Sequence, residues 1–402
     1  MISSRHEVLV TGMGAVTALG PDLASFAAGL QAGRTGIRRL TLFDPSGYRS
    51  ELCGQVAEPD FPDVELPPST SRPDRFGLRA ALDAVRDADL PVEALRGAAV
   101  AMGTGTGGAL QSEEYVLERL AGRYPDARLL VGHQPAAVTD LIARLLGIRG
   151  PRNTIMTACS SSAVAIAWAA DLIACGEVEV ALAGGAEGLC RLTVAGFSAL
   201  RATSPELCRP FDANRQGLNL GEGAAVLVLE SEKHAQRRGA RVYGRIAGYG
   251  MTTDAYHMTA PHPDGAGAAR AMRIALANAG LPPEAIGYIN AHGTGTPHND
   301  VAETRAIHAV FGAWAPRIPV SSIKSMVGHT LGAAGAIEAV ASLLALSCGF
   351  LPPTVNHERA EEGFNLDFIP GQARAVQVEA VLSSSFAFGG NNAVLIFTRT
   401  PG

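Results

Sequence analysis

Apolar, strand-like runs that empty into glycines and are followed by helical patterns recur along most of this 402-residue chain. "EVLVTGMGAVTALG" (7–20), "GAAVAMGTGTGG" (97–108), "VEVALAGGAEG" (178–188) and "IGYINAHGTGTPHND" (286–300) are four such passages. Helical periodicity falls at 22–31, 75–88, 137–147 and 265–280. Strands alternating with helices specify an α/β fold with a mostly parallel sheet. The 46 glycines suit tight strand-to-helix turns and follow no fixed period, which excludes a repeat array. The length exceeds the usual size of one compact unit, so two domains or two closely packed halves are expected. The polar stretch "RPFDANRQGLNLGEG" (209–223) reads as a structured loop rather than a flexible linker. The halves are drawn at 1–240 and 241–402, sharing a coarse order of elements but little sequence.

A formal net charge of −5 gives no bulk support for nucleic-acid binding, and none is expected. The cysteines at 53, 159, 175, 190, 208 and 348 form no CxxC pair and no metal-like cadence, so no metal site is expected. The strand pattern begins within seven residues of the start, leaving no room for a signal peptide. The apolar run from Ala339 to Phe350 is too short to span a bilayer, and no membrane association is expected. Free thiols and no leader point to a cytoplasmic setting.

Three passages carry chemistry. In "IMTACSSSAVAIAWAADLIACG" (155–176), Cys159 precedes three serines and a long small-residue segment. Serines satisfy free N–H groups at a helix start, and a thiol on that first turn feels the positive helix end, which favours thiolate. Alone, Cys159 reads more readily as a buried inert thiol. In "AHGTGTPHND", His292 follows an apolar strand, where active-site groups of α/β folds gather. In "SSIKSMVGHTLGAAGA", Lys324 ends a strand and His329 precedes a helix of small residues. Two histidines after separate strands, with a thiol near a helix start, make a plausible reaction centre.

Taken together, "TACSSS", "RPFDANRQGLNLGEGAA", "TTDAYHMTAPHPDG", "NAHGTGTPHND", "KSMVGHTLGAAG" and "FAFGG" resemble the β-ketoacyl-acyl-carrier-protein synthases of the elongating type, in the thiolase-like superfamily. The likeness runs along nearly the whole chain and extends to the ketosynthases of type II polyketide systems. It implies a thiolase-like, five-layered α-β-α-β-α fold built from two similar halves. It also implies decarboxylative Claisen condensation of a malonyl-carrier thioester with an acyl chain on Cys159. His292 and His329 are then the enolate-stabilising pair, and Lys324 holds the field and hydrogen bonds around His329 and the supporting Glu338. Phe388 is the aromatic gate and Phe197 a second pocket ring. Thr294 and Thr296 are ligands of the phosphopantetheine arm, and Thr106 stands where an aliphatic gate is usual. No cofactor is expected to be bound, because the substrates ride on the phosphopantetheine of acyl carrier protein. Arg201, together with Arg72 and Arg75 of "SRPDRF", is the expected docking patch for that acidic partner. A homodimer, or a heterodimer with a chain-length-factor-like subunit, is implied.

The chain also departs from the housekeeping fatty-acid pattern. It has "CSSS" in place of "CATG" and "FAFGGNN" in place of "FGFGGTN". Ala387 is expected to stiffen the gate loop, since glycine alone tolerates left-handed dihedrals freely. These differences leave type II polyketide or polyene elongation and fatty-acid elongation both open. A catalytically silent partner subunit is the other reading; the intact cysteine, histidines and lysine weigh against it. No cysteine lies in the last glycine loop, which disfavours a degradative thiolase.

Overall fold

The computed structural model describes residues 6–62 and 64–400; the first five residues, on which the expectation about a leader partly rests, lie outside them. Eleven strands form one large mixed sheet system. In the first half these are β1 (Val8–Val16), β2 (Ala99–Gly103), β3 (Arg152–Ile155), β4 (Val180–Glu187) and β5 (Gly223–Ser231). The second half supplies β6 (Gly244–Thr253), β7 (Tyr288–Asn290), β8 (Pro319–Ser321), β9 (Asp367–Phe368), β10 (Ala380–Phe386) and β11 (Asn391–Thr398).

The order is β9-β8-β7-β10-β11-β6-β1-β5-β4-β2-β3. Starting from the junction, each half reads first strand, last, penultimate, second, third. Senses match too: β1–β5 and β5–β4 are antiparallel while β4–β2 and β2–β3 are parallel. In the other half β6–β11 and β11–β10 are antiparallel while β10–β7 and β7–β8 are parallel. Only Leu9↔Arg245 and Val10↔Gly244 pair β1 with β6 across the junction.

Helices complete five layers. The outer layer of the first half holds α1 (Arg72–Asp87) on β1 and β5, then α2 (Ala109–Leu120) against the 3-10 stretch Ala127–His133, with α3 (Ala137–Leu145) on β2, β3 and α1. Between the sheets lie α4 (Ser161–Ala174) and, much later in the chain, α8 (Ala334–Cys348). Helix α4 packs on β4 and β2, α8 on β10 and β5, and the two on each other. Beyond the second half's sheet come α6 (Ala266–Ala279) on β6 and β11, and α7 (Pro297–Phe311) on α6. A short α5 (Arg191–Ala199) follows β4.

Composition explains this placement. Helix α8 is apolar all round, and every residue from Ala334 to Leu346 is buried, so it belongs between two sheets. The segment Leu331–Cys348 is in fact long and apolar enough to cross a membrane by length and composition, unlike the shorter run expected from sequence; 89% of it is buried inside the fold. Helix α1 carries one apolar face with a charged one opposite, and Ser71 and Asp74 form a capping box at its start. Its approach to β1 demands glycine: a Cβ on Gly14 would lie 2.0 Å from the Ala80 carbonyl oxygen.

Candidate active site

Equivalent strands of the two halves deliver the chemistry. Cys159 follows β3 and His329 follows β8, the third strand of each half; His292 follows β7 and Phe388 follows β10. All stand at carboxyl ends of parallel strands, where an α/β sheet opens to ligands.

Cys159 sits in a single 3-10 turn, Ala158–Ser160, directly before α4 rather than inside its first turn. Ala158 adopts φ +52°, a costly value for a side chain with a Cβ, and its neighbours fix it there. Ser160 Oγ donates to the Thr157 carbonyl (2.8 Å) and Ser161 Oγ to that of Ala158 (2.6 Å). Ser162 Oγ accepts the Ala336 N–H (2.9 Å) and so ties α4 to α8. The serine run is therefore the scaffold of the Cys159 turn.

His329 Nε2 lies 3.1 Å from Cys159 Sγ. Its Nδ1 accepts the Leu331 N–H (3.2 Å), so the proton of the neutral ring belongs on Nε2, aimed at the sulfur. The His292 ring stands 5.3 Å from that of His329, nearly perpendicular at 83°. Lys324 Nζ donates to the His292 carbonyl (2.6 Å) and faces His292 Nδ1 at 3.3 Å, which again leaves the proton on Nε2. Lys324 is ion-paired with Glu338, both fully buried. The sequence places Lys324 around His329 and Glu338; its hydrogen bonds go to Glu338 and His292, and it acts on His329 through its field.

Burial and the Lys324 ammonium hold both imidazoles well below the usual histidine range, and His329 adds to that effect at His292. The same burial pushes the Cys159 thiol up to about 11, against the pull of Lys324 and the Phe388 N–H. Desolvation thus outweighs the charge and hydrogen bond that favour thiolate. Glu338 is pushed up to about 7 by burial, with Lys324 opposing the shift.

A cavity of about 470 Å³ reaches Cys159, His292 and His329 from solvent. Thr294 and Thr296 line it, their hydroxyl oxygens 2.8 Å apart. Phe197 and Phe388 also line it, stacked with ring centroids 5.4 Å apart. Arg201 stands exposed at the mouth in a left-handed conformation.

Three sequence expectations meet different surroundings. Arg72 is mostly buried, gripping Glu222 at 2.6 Å, and Arg75 is paired with Glu58 at 2.9 Å. Both are occupied, and neither lines the cavity mouth. Thr106 does not line the cavity either; its hydroxyl donates to Glu187. Ala387 has φ −124°, ordinary extended backbone, while the left-handed positions of the gate loop fall on Gly389 and Gly390. Alanine at 387 therefore strains nothing.

Sequence reasoning missed several supports. Glu303 on α7 accepts the N–H groups of His292 (2.8 Å) and Gly293 (2.7 Å) and so sets the loop that carries the histidine. Burial pushes its carboxyl up to about 7. Asp254 accepts from Asn392 (2.8 Å), and Gly389 N–H donates to Met258 (2.7 Å), tying the start of the 254–262 segment to the gate. A carboxylate one helical turn beyond "GTGTPHND" was a legible signal for Glu303; the contacts of Asp254 depend on the fold alone. Among the described residues no cluster of three or more His, Cys, Asp or Glu side chains is disposed to hold a metal.

Residues 5–235 match the family described as "Beta-ketoacyl synthase, N-terminal domain", and residues 243–358 the corresponding "C-terminal domain". The chain belongs to the β-ketoacyl synthase family. It is 41% identical to the 3-oxoacyl-[acyl-carrier-protein] synthase 2 of Synechocystis sp., over 98% of both chains. The Vibrio cholerae protein of the same name is 38% identical, over 98% of this chain and all of the other. Among solved structures, "The ishigamide ketosynthase/chain length factor" superposes with a TM-score of 0.94 at 39% identity, covering 99% of this chain and 100% of that one. A β-ketoacyl synthase from Burkholderia phymatum gives 0.90 at 38%, over 98% and 100%. Like these relatives, this β-ketoacyl synthase is a condensing enzyme acting on carrier-tethered acyl chains, on a thiolase-like fold.

Proposed function

We propose that Cys159, His292 and His329 carry out the condensation, with Lys324 and Glu338 fixing His292 from behind. The observation that carries this reading is the convergence of one sulfur and two imidazole Nε2 atoms on one cavity. The Cys159 sulfur adds to the thioester of an acyl-carrier protein, and the carrier's thiol leaves with the proton. The N–H groups of Cys159 and Phe388 stabilise the oxyanion of that addition. A malonyl thioester then enters along Thr294 and Thr296. Its carboxylate bond breaks, carbon dioxide departs, and the enolate oxygen is held by the two Nε2–H donors. The enolate carbon attacks the acyl-Cys159 carbonyl, and the cysteine sulfur leaves as the β-ketoacyl chain forms. Acyl-carrier substrate should leave a single acyl adduct on Cys159 by mass spectrometry; acylation of a Cys159→Ala variant at another residue would refute the assignment.

The arm is the phosphopantetheine of acyl carrier protein, with Arg201 as the exposed cation at the mouth that meets the acidic carrier. Two relatives favour a second subunit: one is described as a ketosynthase/chain length factor, another as a ketosynthase "in Complex with its Chain Length Factor" from Xenorhabdus doucetiae. Here β3 is an edge strand, and Met156 beyond it is exposed, as are Val116, Leu120 and Leu192. An unpaired edge and exposed large apolar side chains fit a dimer face. Solution molar mass, alone and with such a partner, distinguishes homodimer from heterodimer. Six unpaired cysteines fit a reducing, cytoplasmic setting.

A further inference from the structure

Glu187 ends β4 fully buried, and its hydrogen bonds come from backbone N–H groups and a hydroxyl rather than from a cation. Oε1 accepts from Thr106 N (3.0 Å) and Thr106 Oγ1 (2.5 Å). Oε2 accepts from Gly105 N (2.6 Å) and Gly332 N (2.9 Å). Three of these donors are backbone groups that cannot reverse, so both oxygens act as acceptors, and these bonds oppose the burial that pushes the carboxyl's pKa up. The carboxylate thus joins two segments remote in sequence: the loop after β2 and the turn that follows His329.

That turn is under strain. Leu331 adopts φ +45°, and such a residue persists only where its surroundings fix it. Its N–H is the group that donates to His329 Nδ1, and the next N–H along, that of Gly332, is the one Glu187 holds. The two segments touch so closely that a Cβ on Gly332 would lie 2.5 Å from Gly105 N. We infer that Glu187 is a positioning residue for His329. By anchoring Gly332 it keeps the strained Leu331 N–H on Nδ1, which holds the imidazole proton on Nε2, facing Cys159. The inference rests on the role proposed above for His329.

Histidine-selective ¹⁵N NMR reports which ring nitrogen carries the proton and is the deciding measurement, alongside malonyl-carrier decarboxylation. Wild type should show His329 protonated on Nε2. Glu187→Ala, which orphans four donors, should mix the tautomers and slow decarboxylation about 10–100-fold with KM unchanged. Glu187→Gln keeps one acceptor oxygen and should fall between the two. It also serves should the alanine variant not fold. An unchanged His329 tautomer in the folded Glu187 variant, or a loss confined to KM, overturns the inference. His329→Ala separates it from the underlying reading: undiminished decarboxylation there refutes the role of His329, whatever the tautomer data show for Glu187.

Discussion

In the function proposed above Cys159 is the nucleophile, and its burial favours the thiol form. Its sulfur faces His329 Nε2 and the Phe388 N–H, yet burial dominates and raises the thiol to about 11. Alkylation of the free enzyme by iodoacetamide should therefore climb steadily from pH 7 to 9.5, because thiolate is the reactive form and its fraction grows about tenfold per unit below the pKa. A plateau near pH 7.5 would contradict this environment. The histidines behave oppositely. Their pKa values are depressed, so lowering pH through 6.5 does not charge them, and the neutral Nε2–H donors persist. Decarboxylation should stay flat between pH 6 and 8, and an inflection near 6.5 would sink the assignment. Replacing either ring with alanine removes one donor to the enolate and should cost about 10²–10³ in rate. At this scale the sequence was informative for side chains embedded in dense motifs, which is how Cys159, His292, His329 and Lys324 were legible. Glu187 escaped because its work is done on backbone N–H groups of distant segments, a relation that residue identity does not encode.

Loops after strands are the working elements. The gate loop after β10 combines a stacked Phe197–Phe388 pair with a hydrogen bond from Gly389 to Met258. Since Ala387 is extended, Ala387→Gly should leave turnover within about twofold of wild type, and its main effect should be a stability loss of about 0.4–1 kcal/mol from added unfolded-state freedom, measurable by denaturant melts. A large gain in turnover would restore the expectation that alanine stiffens this loop. Element types were readable because strand-to-glycine-to-helix passages repeat. The occupation of Arg72 by Glu222 was not, since an arginine in a charged cluster looks alike whether it meets solvent or a carboxylate 150 residues away. The membrane-length apolar segment Leu331–Cys348, which contains α8, likewise needed its two covering sheets to be understood.

At the scale of the molecule, the five layers share one interior: α4 from the first half and α8 from the second fill a single space between sheets. Expressed separately, 1–240 and 241–402 would each leave one central helix facing water, so each piece should aggregate, and co-expression should restore soluble, acylatable protein. Active material from either piece alone would refute a common interior. The two-half architecture was suggested by the coarse order of elements, but the matching strand senses rest on register, which periodicity cannot supply.

The repeated topology has a consequence for the cavity. Third strands at corresponding places are followed by a sulfur in one half and an imidazole in the other, so one strand arrangement used twice presents two chemically different groups to a single opening.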